Sequence, residues 1–206
     1  MSRKSQKTAA RRATIRAGAA AVAEVRRQID AEAQTRRRDD SAWVEKIGAP
    51  AYSSILAMAA AMECDYDRLV ALRDERGDWE PADGGGAGPA TWEEAEPDDA
   101  AELAQLEEDA DGCEDEDAAR EHIQDDPLSV EVRSGWTVTG HDMEAEDYCI
   151  TLSTGGPAVR IRGELDDDRE PKSAMLQVQD WWKPWTEYTG ASQDTLLTYA
   201  RVLCYG

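Results

Sequence analysis

Between Thr91 and Asp126 the chain places seventeen carboxylates and a single arginine, Arg120, with Leu103, Leu106 and Ile123 as its few large apolar residues. No segment of that composition can bury itself. It folds only in pieces on something else, or it stays solvated. Pro97 suits a helix start, the pattern breaks near Gly112, and Pro127 suits a stop.

The charge around this stretch is unevenly divided. Residues 1–38 carry eleven Lys/Arg against Glu24, Asp30 and Glu32, a net of +8, so the overall −21 leaves −29 on the other 168 residues. An acidic body of this kind repels nucleic acid and anionic membranes, and it attracts basic surfaces. Residues 1–40 are predicted as a basic helical arm, rich in Ala, Arg and Gln. Residues 41–80 follow as a short link and then, from Pro50, one amphipathic helix. Tyr52, Ile55, Leu56, Ala59, Met62, Tyr66, Leu69 and Val70 share its apolar face. Residues 81–126 combine a Gly-rich flexible linker, PADGGGAGPA, with the acidic stretch.

After Pro127 the apolar period becomes two. Val130, Val132 and Trp136, then Tyr148, Ile150 and Leu152, then Val159, Ile161 and Leu165, then Leu176, Val178 and Trp182 mark four strands separated by turn residues. SQDTLLTYARVLCYG then reads as a closing helix, with Ser192 at its N-cap and Leu196, Leu197, Ala200 and Leu203 toward the sheet. The expected class is therefore α+β: N-terminal helices, then a four-stranded antiparallel meander closed by a C-terminal helix, the last two forming a domain over 127–206.

Several strings in this half, DPLSVEVRSGW, TGGPAVRIRGELD, QDWWKPWTEY and LLTYAR, resemble a family of acidic proteins from bacterial phages and integrative elements. AYSSILAMAAAMECDYDRLVALRDER is similar to the helix upstream in the same proteins. The resemblance implies a mobile-element setting; it supplies no catalytic residues and no mechanism.

Four functional readings follow. In the first, the carboxylates act as a decoy for a nucleic-acid backbone. A continuous helix over 91–126 would set one carboxylate per about 3.2 Å, near the ~3.4 Å phosphate spacing of a DNA strand. Glu107, Glu108, Asp109, Asp111, Glu114, Asp115, Glu116 and Asp117 would carry the charge, with Trp181 and Trp185 as aromatic partner contacts. The partner would be a host defence protein with a basic, nucleic-acid-binding surface, such as a restriction or CRISPR component. In the second, Arg11, Arg12, Arg16, Arg26 and Arg27 bind nucleic acid, or fold onto the acidic body instead. In the third, the long helices oligomerise as a scaffold. The bland reading of the acidic run is plain solvated surface.

Chemistry has thin support. From Asp109 the sixth residue of DADGCEDED is Glu114, where a calcium loop needs glycine, so no metal site is expected. Four scattered cysteines and two histidines, His122 and His141, form no ligand pattern or nucleophile–base pair, so neither cofactor nor enzymatic activity is expected. No run approaches eighteen apolar residues, and the expected location is the host cytoplasm.

Overall fold

The structure is a computed structural model, and it describes residues 26–27, 41–81, 91–136 and 144–204. The chain divides into two units, Met1–Trp43 and Val44–Gly206. Of the first, Arg26 and Arg27 are helical and exposed, while Arg11, Arg12 and Arg16 lie outside the described residues, as do His141 and most of the Gly-rich segment.

Helix α1 is described over 41–63, so the expected link ahead of Pro50 is helical instead. Proline removes one N–H and clashes with the preceding turn, typically at about 3 kcal/mol in a helix interior. Here Val44, Ile55, Met58, Ala59 and Ala61 are buried along the same helix, and that burial outweighs the lost bond. The single amphipathic helix expected from Pro50 onward is in fact two. Cys64 and Asp65 interrupt it, and the Asp65 carboxylate accepts from the Arg68 N–H to cap α2, Tyr66–Asp78. The break rotates the apolar stripe. Leu69 and Leu72 point inward, whereas Leu56 and Val70 remain about half exposed.

The acidic stretch folds as three short helices: α3, Trp92–Ala95; α4, Pro97–Asp109; and α5, Glu116–Asp125. Thr91 caps α3, Pro97 opens α4, and Asp115 caps α5 by accepting from the Ala118 N–H at 2.8 Å. Asp98, Asp99, Glu116 and Asp117 occupy first turns, where the positive end of the helix dipole favours them. Much of the local acidity is thus helix-starting chemistry.

The sheet has five antiparallel strands in the order β1-β2-β3-β4-β5, not four. They are β1, Ser129–Ser134; β2, Ala145–Ser153; β3, Ala158–Glu164; β4, Met175–Gln179; and β5, Thr186–Glu187. Every strand pairs with its sequence neighbour. β5 pairs Gln177 with Glu187 and Val178 with Thr186, and the Tyr188 N–H donates to the Leu176 carbonyl at 2.8 Å. Two residues are too few to show a period, which is why this strand leaves no pattern in the sequence. Gly155, at φ 107, turns the β2–β3 hairpin in a region that only glycine enters freely.

One face of the sheet is the core. Tyr148, Ile150, Val159, Ile161, Leu176 and Val178 are buried there together with Leu196, Tyr199 and Ala200 of α6, Gln193–Cys204. Helix α6 packs between β4 and α5, and the Tyr199 hydroxyl donates to the Asp126 carboxylate at 2.5 Å. Tyr52 of α1 contacts Thr195 at 3.4 Å and accepts from the Ser192 N–H at 3.0 Å. Four expected core positions, Val130, Val132, Trp136 and Trp182, are exposed instead. Val130 and Val132 do face the inner side, opposite Ile150 and Tyr148, but β1 is an edge strand with little over it, and Val132 is 62% exposed. Trp182 is 96% exposed because β4 stops at Gln179, and the chain turns before the alternation reaches it.

Candidate functional site

The helical layer is built on a small apolar cluster. Leu69, Leu72, Trp92, Leu103 and Ala110 are buried together, with Cys64, Tyr66, Trp79, Ala100 and Leu106 packed around them. Tyr66 donates its O–H to the Ala61 carbonyl at 3.0 Å, and burial, with the neighbouring Cys113, pushes its phenol up to about 12. This cluster anchors α4 on α2, so part of the acidic stretch is held on a packed scaffold.

Across the α2–α4 seam, arginines meet carboxylates. Arg68 Nη2 donates to Asp99 at 2.8 Å and to Glu102 at 2.7 Å, and Arg73 Nε donates to Glu107 at 3.2 Å. Arg76 lies 3.8 Å from Glu107. The hydrogen bond from Arg68 holds the Glu102 carboxyl below its ordinary range, and the same bond raises Arg68. These groups stand in solvent, so each pair contributes little to stability. Their main effect is on orientation and net charge.

The eight carboxylates expected to face a partner separate into two sets. Glu107 is held by Arg73 and Arg76, Asp109 accepts from Gln105 at 2.9 Å, Asp115 caps α5, and Glu116 takes Arg120 at 2.6 Å. Glu108, Asp111, Glu114 and Asp117 are exposed and make no such bond among the described residues. They gather about the α4–α5 connection, where Asp111 at φ 47 and Gly112 at φ 81 turn the chain. A non-glycine residue in the left-handed region costs about 1–2 kcal/mol. The expected single row at phosphate pitch is therefore broken twice, at Glu96 and across 110–115, and α4 by itself spans about 20 Å at ~1.5 Å per residue.

The two tryptophans of the expected contact also differ. Trp181 is in a turn, at φ 41, with its indole against Gly156 of the β2–β3 hairpin, and it is 66% exposed. Strand β4 stops at Gln179, so its alternation reaches neither Trp181 nor Trp182. Trp185 is half-buried and stacks under the Arg160 guanidinium, whose carbon lies 3.9 Å from the ring centroid. That cation–π contact is internal to the chain.

The residues missed in the sequence are arginines of the uncovered sheet face. Arg133 on β1 and Arg160 and Arg162 on β3 stand on the side opposite the core, around Cys149. The signal was present: in AVRIRGE the arginines alternate with Val159 and Ile161, which places both on one outer face. Among the described residues no group of three His, Cys, Asp or Glu side chains converges as a metal site, and no helix is long and apolar enough to cross a membrane. All four cysteines are free thiols. The chain matches no family model, no curated protein and no solved structure.

Proposed function

We propose that the protein is a non-enzymatic inhibitor carried by a mobile element, which blocks a basic, nucleic-acid-binding surface of a host defence protein. The observation that carries this reading is the exposed set Glu108, Asp111, Glu114 and Asp117, without side-chain partners among the described residues, around the α4–α5 connection, with α4 anchored through Leu103 and Ala110. A scaffolded patch of charge costs less ordering on binding than a loose acidic tail would. The contact is shorter than a continuous helix would give, because the exposed carboxylates sit around one helix–helix connection and reach only a few phosphate positions on a target. Trp181, exposed beside the hairpin, supplies an aromatic contact outside the acidic patch. The resemblance to acidic phage and integrative-element proteins suits this setting, and the host cytoplasm is where such a target would be met.

The test compares wild type with a variant carrying E108Q, D111N, E114Q and D117N in salt-stepped capture from nuclease-treated host lysate. The captured protein is then assayed for DNA binding with and without each form. Wild type should capture a nucleic-acid-binding protein and block its DNA binding, and the variant should do neither. Equal capture and equal blocking by the variant would remove the proposal.

A further inference from the structure

Helices cover one face of the sheet; the other carries a shallow concavity of about 250 Å³, lined by charged side chains together with Val132, Tyr148 and Cys149. Its floor and walls come from Glu131 and Arg133 of β1, Asp147 and Cys149 of β2, and Arg160 and Arg162 of β3. The register makes this a consequence of strand alternation. Glu131 pairs with Cys149 and Cys149 with Arg162, Arg133 pairs with Asp147, and Arg160 sits opposite Gln177. Three of the positive charges of a chain of net −21 therefore share one side of one sheet.

Arg160 is the unusual member. Trp185 stacks on its guanidinium at 3.9 Å, and its Nε donates to Gln177 Oε1 at 2.9 Å. Those two contacts fix the plane of the group and consume one of its five N–H donors. No carboxylate takes the rest among the described residues, although the chain has 44 Asp and Glu. Burial, with Arg162 nearby, holds Arg160 below its ordinary value, so the cation is partly stripped of water without a compensating anion. A half-buried, oriented guanidinium lacking a counter-charge is unfavourable in the free protein. Among the described residues Arg162 has a loose contact, 3.8 Å to Asp147, and Arg133 reaches the same carboxylate from β1.

We propose that this face is an anion site, in which Arg160, Arg162 and Arg133 receive a phosphate-type oxyanion, either inorganic phosphate or the phosphate group of an ester. The preference for phosphate over carboxylate rests on charge and shape. A dianion answers more of the three arginines than a carboxylate does, and a tetrahedral group presents oxygens to both β1 and β3. Asp147 is the internal competitor: it occupies Arg133 and flanks Arg162, and an entering phosphate displaces or repels it. The site is separate from the acidic turn of α4–α5 and does not depend on the function proposed for that turn.

The experiment titrates the full chain with sodium phosphate, phenyl phosphate and sodium acetate at fixed ionic strength. Arginine Nε–H and tryptophan Nε1–H signals are followed by NMR into the millimolar range. Both phosphates should shift the Arg160 and Trp185 signals in a saturable way, and acetate should not. Saturation by inorganic phosphate with none by phenyl phosphate would assign the free ion, and the reverse would assign an ester. R162Q should weaken binding roughly tenfold, the loss of one charge-assisted contact. D147N should strengthen it by a similar factor, a gain that a purely structural aspartate would not give. R160Q should abolish binding; because it also removes the Trp185 stack, R162Q and D147N carry the decision. Absence of saturable shifts, equal response to acetate, or affinities unchanged in both of those variants would overturn the proposal. The E108Q, D111N, E114Q, D117N variant should keep wild-type phosphate affinity, so failure of the decoy leaves this outcome intact.

Discussion

Alkali should unfold this protein through two buried phenols. Tyr148 and Tyr199 are almost fully enclosed; Tyr148 donates to the Ser173 carbonyl at 2.8 Å, and Tyr199 donates to the Asp126 carboxylate at 2.5 Å. Burial raises both above the ordinary value of 10, and the Asp126 charge adds to the rise at Tyr199. A group whose pKa is raised by folding contributes stability that is intact below its unfolded pKa and lost as pH climbs toward the folded one. Above about pH 10 these two phenols keep protons that the unfolded chain releases, so the pair lowers stability by about 2.7 kcal/mol per pH unit, or ~1.36 for each group, and the raised Tyr66 phenol adds to the fall. The Cys204 thiol, raised by burial to about 11, begins to act earlier, above its ordinary value of 9. Together these remove roughly 5 kcal/mol by about pH 11, comparable with the whole stability of a modest domain. Urea midpoints measured by circular dichroism across this range, with tyrosinate absorbance recorded in parallel, should show steep loss and a delayed, cooperative ionisation. Y199F should lower the slope above pH 10 by about 1.4 kcal/mol per unit, and it should cost about 1–2 kcal/mol at neutral pH through the lost bond to a charged group. Ionisation of every tyrosine near pH 10 while the fold persists would refute the reasoning.

Other perturbations test separate parts of the structure. Gly163 lies so close to the Ser173 carbonyl and the Tyr148 ring that an added methyl overlaps both; G163A should therefore cost about 3 kcal/mol or more in chemical denaturation, with a dispersed native spectrum lost at room temperature. R68A removes the cation shared by Asp99 and Glu102 and leaves those acids facing each other. It should lower the urea midpoint at low salt and lower it less at high salt. Neutralising Glu108, Asp111, Glu114 and Asp117 together should leave stability unchanged or slightly higher, because it relieves repulsion without breaking a bond, and thermal melts would expose any contrary loss.

What was legible in the sequence follows the length of each pattern. Strands β2, β3 and β4 have enough residues to show alternation, and Tyr148, Ile150, Val159, Ile161, Leu176 and Val178 are buried as that alternation requires. The helix starts at Pro97 and after Ser192 were equally readable, since local chemistry marks them. Three features were hidden. β5 is too short to have a period. The α1–α2 break depends on one capping aspartate inside an otherwise continuous apolar stripe. Whether a carboxylate is free or held by an arginine depends on α2 lying beside α4, a tertiary fact that no spacing within 91–126 contains. The arginines of the sheet's outer face were passed over because alternation was used to find the core; the same alternation names its opposite.

The strand order has a kinetic consequence. Each of the five strands pairs with the one beside it in sequence, so the sheet forms by successive hairpins and needs no distant partner to begin. Topologies dominated by such local pairings reach their native state faster than sandwiches of similar size, by up to several orders of magnitude across the known range. The slow element here is different. Helix α1 meets α6 through Tyr52 and Thr195, 143 positions apart, and closing so long a loop costs entropy before any contact rewards it. The meander should therefore appear early and the α1–α6 seam late.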